Sequence, residues 1–193
     1  MKQHYEVTAI SSDVEYLKKV GAMQEVSVFN VEMSRQITPF QDLIAVWRLY
    51  NYFKKEKPFI VHTHTPKAGT VGMLAAILAR VPHRLHTIAG LPLLEATGVK
   101  RKVLNFVEKY TYSCATNIYP NSFGLHDIVI SEKFCNVNKL KVLGNGSTNG
   151  INTSFFSPEH FSVSENKILK SNLGIAAEDY VFIFVGRLVG DKG

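Results

Sequence analysis

The chain has 193 residues, 46% of them hydrophobic and including twelve Phe and eight Tyr, which is too apolar for disorder and enough to bury roughly 70% of the surface that the unfolded form exposes. One full domain, or one domain with part of a second, suits that length. A formal charge of +6 favours an anionic partner without choosing one, and the uncharged stretch Ala68 to Ala79 is far short of the ~20 residues that a membrane-spanning helix needs.

Residues 5–10 (YEVTAI) read as a strand, 14–20 as a short helix and 26–29 as a second strand. Thr38 and Pro39 then look like an N-cap followed by proline at the first helical position. Phe40, Leu43, Ile44, Trp47, Tyr50 and Phe53 recur at helical spacing, and this stripe is expected in the core. Residues 59–63 (FIVHT) make a compact strand, after which Thr65 and Pro66 repeat the cap-then-proline device. The helix that follows, to about Arg80, is apolar on nearly every side and should be sandwiched within the fold. Arg84 to Ile88 is the next strand, and Val99, Val103, Phe106, Val107, Tyr110 and Cys114 mark one face of a helix over about 99–115. Asn117 to Tyr119 is a short strand, Ser122 caps a helix to about Ile130, and Lys139 to Leu143 is a further strand. Strands alternating with helices, joined by connections too long for hairpins, predict a doubly wound α/β domain built on a parallel sheet.

Composition changes at Gly144. The stretch GNGSTNGINTSFFSPEH (144–160) is rich in Gly, Asn and Ser and reads as a crossing between domains. A helix near 165–173 and the apolar strand YVFIFVG (180–186) follow it. The expected division is 1–150 and 151–193, the second part being the crossing and the start of a domain that stops after its first strand. The two cysteines, Cys114 and Cys135, form no disulfide framework or zinc pattern and fit a reducing cytosol. The charged opening, Met1 to Glu6, lacks the apolar run of a secretory signal.

In open parallel sheets ligands bind beyond the carboxyl ends of the strands, beside helix N-termini. That rule selects His64 with Thr65, Ala89 with Gly90, and Asn121 with Ser122 as the lining of one crevice. His62 and His64, two apart in a strand, share a face with about 7 Å between their side-chain origins. His62 is read as packed and hydrogen-bonded beneath the floor, His64 as meeting a ligand at the rim. A metal on this His-x-His pair would need a third ligand; His86 lies two or three residues short of the rim, so no metal is expected. The helix after Pro66 begins with free N–H groups and Lys67 beside them, a place for an anion. For Gly69 and Gly72, phosphate approach and close helix packing both remain open. The basic clusters Lys54, Lys55, Lys57 and Lys100, Arg101, Lys102 are either solvated helix surface or a site for phosphate or lipid headgroups. They lack the interleaved aromatics of a nucleic-acid platform, so nucleic acid is not expected.

Four segments in order, KPFIVHTHTPKAGTVGMLAA, LPLLEATGVKR, GNGSTNGIN and FVGRLVGDKG, resemble bacterial family-four retaining glycosyltransferases of the GT-B fold, which build surface and capsular polysaccharides. The resemblance implies two Rossmann-like domains across a cleft, the amino-terminal one for the acceptor and the other for a nucleotide-sugar donor. It matches His64 to a histidine beside the reacting sugar. Thr65, Lys67, Gly90, Asn121 and Ser122 then fall on the acceptor side. Asn149 and Gly150 match the crossing, and Arg187 with Lys192 the clamp on the donor diphosphate. It further implies a lipid-linked or saccharide acceptor, no cofactor or metal, and a cytoplasmic enzyme peripheral at the inner face of the plasma membrane.

The sequence departs from the family pattern in three ways. It opens near the family's second strand, Ala89 stands where relatives often carry His or Arg, and most of a donor domain is missing after Gly193. Val181 to Val185, by strand exchange, or a second chain in a dimer is expected to fill the slot of the first strand. A nucleotide-sugar epimerase of the same shape is the alternative enzyme, with Glu95 its nearest acidic candidate. A non-catalytic module binding sugar nucleotides or a lipid surface is the alternative outside enzymes.

Overall fold

The computed structural model describes residues 2–34, 38–147, 150–176 and 178–186. The chain divides into two compact units, Met1–Thr148 and Asn149–Gly193.

In the first unit the elements alternate: β1 (Thr8–Ser11), α1 (Val14–Gln24), β2 (Ser27–Asn30), α2 (Pro39–Glu56), β3 (Ile60–Thr63), α3 (Pro66–Leu78), β4 (His83–Ile88), α4 (Gly98–Cys114), β5 (Asn117–Pro120) and α5 (Phe123–Ser131), with a 3-10 turn at Pro92–Glu95. Local chemistry sets the starts of several helices. Asp13 accepts from the Tyr16 N–H, Thr65 from Ala68 and Ser122 from Leu125, and Pro39 and Pro66 occupy first-turn positions. Helix α1 runs past the expected end at residue 20 and stops where Glu25 turns into the left-handed region, at φ 50°.

All named strand pairs are parallel, as the alternation requires, but they form two sheets, β1–β2 and β3–β4–β5. Helix α2 ties the two-stranded sheet to the helical layer. Its Tyr52 ring stacks on Phe29 at 4.0 Å between centroids, and its Arg48 donates to the Asn30 carbonyl at 3.2 Å. Two expected strands are absent. Lys139 to Leu143 contributes a single bridge, Ile118 to Leu140, because the 3-10 turn Val137–Lys139 and the left-handed Gly144 leave too little extended chain between them. In the second unit, Val181 to Val185 carries no strand.

The core centres on α3, whose Val71, Met73, Ala75 and Ala76 are almost wholly buried between α2, α4 and the larger sheet. This is the sandwiched position that its all-round apolar character predicts. Helix α2 corrects part of an expectation: Phe53 of the predicted stripe is in the core and Tyr50 packs against it, but the other four residues are outside. The helix turns Ala45, Val46, Leu49 and Phe53 inward, while Phe40 is 85% and Trp47 66% exposed, with Leu43 and Ile44 also outside and Tyr50 half-buried. The buried face carries the small Ala45, which favours close packing of α2 on its neighbour α3. The Tyr52 stack and an ion pair from Asp42 to Lys67 hold the same rotation.

Helix α4 behaves alike. Glu108, Thr111, Tyr112 and Cys114 face inward, and Val99, Val103, Phe106 and Tyr110 face out. Arg101 sets that rotation, donating to the Leu93 carbonyl at 2.6 Å, Glu132 at 2.7 Å and Asn105 at 2.9 Å. It is thus a structural tie, not part of an exposed basic cluster. In the second unit, α6 (Val163–Asn172) starts with a Ser162–Glu165 capping box, and the rings of Phe155 and Phe156 meet edge to face at 5.0 Å.

Candidate functional site

The register of the three-stranded sheet pairs Thr63 with His86 and Ile88 with Pro120. The residues after β3, β4 and β5 therefore emerge on one edge: His64 and Thr65, Ala89 and Gly90, Asn121 and Ser122. Asn121 links two of these tips, its backbone N–H donating to the Ile88 carbonyl at 3.0 Å and its side-chain amide to the Ala89 carbonyl at 3.3 Å. The turn Leu143 to Ser147 covers the same point. Gly146, at φ 84°, lies so close that a Cβ there would sit 2.6 Å from the Asn121 carbonyl oxygen, and Ser147 donates to that oxygen.

Side chains alternate across the sheet, and this decides the three histidines. His62 and His64 share one face, with ring centroids 4.1 Å apart and planes tilted by 40°. His62 Nε2 bonds the Thr87 hydroxyl at 2.8 Å, and Tyr119 lies edge-on at 6.3 Å. His86 occupies the opposite face with Thr63, whose hydroxyl meets its Nδ1 at 2.8 Å. The pleat that puts His86 under α3 keeps it from joining the His62–His64 pair. Among the described residues no three His, Cys, Asp or Glu side chains gather as metal ligands.

Burial first, and then the neighbouring His64, pull the His62 pKa down to about 4. Burial, then His62 and His64, bring His86 to about 4. His64 sits at the exposed rim, yet shielding by its surroundings still lowers its pKa. At neutral pH all three are uncharged imidazoles, able both to donate and to accept a hydrogen bond. A stability test follows. Between their usual value of 6.5 and about 4, His62 and His86 bind protons in the unfolded chain but not in the folded one. Their contribution is complete above 6.5 and is lost as pH falls through that window. Glu108, whose carboxyl burial pushes upward, acts in the opposite sense. The informative quantity is therefore a difference: the urea midpoint should fall more from pH 7 to pH 5 in the wild type than in His86→Gln, and equal falls would refute it.

The remaining candidates are placed as follows. Thr65 and Ser122 are N-caps whose hydroxyls accept from backbone N–H groups. Lys67 is half-buried and paired with both oxygens of Asp42, at 2.7 and 2.6 Å, so its charge is already neutralised within the fold. Gly90 and Gly150 are exposed, with open space where a Cβ would stand. Asn149, Arg187 and Lys192 lie outside the described residues. For Gly69 and Gly72 the packing alternative holds. A Cβ on Gly69 would meet His86 Cε1 at 2.5 Å, and one on Gly72 would meet Thr63 Cγ2 at 2.9 Å. Glu95 is exposed in the 3-10 turn. Thr87 and Tyr119 belong to the histidine face but escaped the strand-tip rule, which looks only past strand ends; strand alternation points to both.

Known proteins resemble this chain in sequence and fold. The model of the glycosyl transferase 4-like domain matches residues 2–146. A capsular polysaccharide biosynthesis glycosyltransferase, CapM, from Staphylococcus aureus is 37% identical over 192 residues, covering all of this chain and 48% of its own length. An Escherichia coli UDP-Gal:alpha-D-GlcNAc-diphosphoundecaprenol alpha-1,3-galactosyltransferase is 33% identical over 164 residues, 83% of this chain and 40% of that protein. The chain thus spans about half the length of the curated relatives it matches. Among solved structures, a glycosyltransferase from Rickettsia africae superposes with a TM-score of 0.62 at 14% identity, over 92% of this chain and 43% of its own. A UDP-N-acetylglucosamine 2-epimerase follows the same fold at 0.57 and 22% identity, over 74% of this chain and 42% of its own.

Proposed function

Because the chain belongs to the glycosyl transferase 4-like family, we propose that residues 1–150 are the acceptor-side half of a GT-B enzyme, with 151–193 leading into the donor side. The whole protein would move a sugar from a nucleotide-sugar to a lipid-linked or saccharide acceptor, with retention of configuration. The observation that carries this reading is the rim position of His64. Its neutral ring rests on His62, which Thr87 anchors, and it stands on the edge where Gly90, Asn121 and Ser122 also emerge.

An uncharged imidazole there can hydrogen-bond a sugar hydroxyl without attracting an unwanted anion. Departure of the nucleoside diphosphate builds negative charge, which Arg187 and Lys192 would meet as fixed cations, without a metal. Lys67 keeps its place in the acceptor region through Asp42, as an orienting contact for the start of α3. The tips of β3, β4 and β5 carry no carboxylate, which disfavours acid/base epimerisation there. Among the described residues no helix is long and apolar enough to cross a membrane; we place the enzyme in the cytoplasm, peripheral to the membrane that would hold a lipid-linked acceptor.

The test incubates the full-length protein with radiolabelled nucleotide-sugars and an undecaprenyl-diphosphate-linked acceptor. Label should pass into the lipid fraction with its anomeric configuration kept. An epimerised donor, or binding with no transfer, would overturn the reading.

A further inference from the structure

We propose that the outer face of α4 is a docking surface for an anionic lipid bilayer. Val99, Val103, Phe106 and Tyr110 are 77%, 43%, 70% and 40% exposed. At 100° per residue they fall within about 60° of one another and run for about 17 Å along the helix. The rings of Phe106 and Tyr110 lie nearly parallel, with centroids 6.4 Å apart. The same geometry puts Lys102 and Lys109 along one side of the stripe and Lys100 on the other. The acidic residue of α4, Glu108, is buried on the inner face.

Helix α4 cannot rotate to hide the stripe, because Arg101 is fixed to Leu93 and Glu132, Thr111 faces the Thr70 hydroxyl at 3.2 Å, and Tyr112 is fully buried. The exposed face is therefore apolar along its middle and cationic at both margins. A bilayer surface satisfies both parts at once: the rings enter the headgroup–acyl boundary while lysine stems lie along it and their ammonium groups reach lipid phosphates. The net charge of +6 acts in the same direction. The other basic cluster lacks this layout. Lys54, Lys55 and Lys57 lie at the end of α2, about two turns beyond the exposed Phe40, Leu43, Ile44 and Trp47, so charge and apolar area are separated along that helix.

The proposal sharpens where the enzyme meets a membrane, and it is tested without donor or acceptor, so its failure leaves sugar transfer untouched. Full-length protein is co-sedimented with phosphatidylcholine vesicles, with and without phosphatidylglycerol. Binding should need phosphatidylglycerol. Phe106→Asp should weaken it about tenfold or more, and Lys102→Gln or Lys109→Gln about fivefold each. Lys54→Gln/Lys55→Gln should bind like the wild type, and circular dichroism should show every variant folded. Wild-type binding by Phe106→Asp, or losses that follow Lys54 and Lys55 alone, would overturn the proposal. So would concentration-dependent pairing of the protein that Phe106→Asp abolishes while vesicles are ignored, which would make the stripe a contact between copies.

Discussion

Replacing His64 with alanine in the full-length protein should lower sugar transfer about 100-fold, equivalent to about 2.7 kcal/mol of transition-state stabilisation, while leaving the urea midpoint nearly unchanged. The two effects separate because His64 is exposed at the rim and has no hydrogen bond to a described residue, apart from its ring contact with His62. Removing it disturbs little packing. His64→Gln, which still offers a donor and an acceptor, should recover part of the loss. His62→Ala is the contrasting variant. It breaks the bond to Thr87 and removes the floor under the upper ring, so stability and transfer should fall together. An unchanged kcat/KM in His64→Ala would remove that residue from the site.

Gly69→Ala should destabilise the fold by about 2 kcal/mol, against the trend for helices, where alanine is better than glycine by about 1 kcal/mol. The opposing effect is overpacking, which costs about 1–3 kcal/mol. The new methyl would lie 2.5 Å from His86 Cε1 and 3.2 Å from Thr111 Cγ2. His86 is 2% exposed and bonded to Thr63, so its ring can yield only by losing that bond. Gly124 in α5 is the internal control: a Cβ there meets nothing within 4 Å, and Gly124→Ala should stabilise by about 0.5–1 kcal/mol. Urea unfolding of the three proteins decides the matter. If Gly69→Ala proves as stable as the wild type, the contact between α3 and β4 is looser than it stands here.

Whatever depends on near neighbours in the chain could be read from the sequence by itself. Thr65 and Ser122 are caps because a hydroxyl reaches a backbone N–H three residues on, and Pro66 needs no N–H at the first helical position. His62 and His64 share a face because strands repeat every two residues, and the strand-tip rule found the edge on which Gly90 and Asn121 emerge. Tertiary structure alone decided which side of each amphipathic helix turned inward. Helices α2 and α4 each offer two faces that can be buried, and the outcome rested on the Tyr52 stack and the Asp42–Lys67 pair for α2 and on the Arg101 bonds for α4. Lys67 found Asp42 across 25 positions, and His86 was drawn to Thr63 by strand register. Periodicity shows that a helix has an apolar side, but steric fit and distant polar partners choose the one that the protein hides.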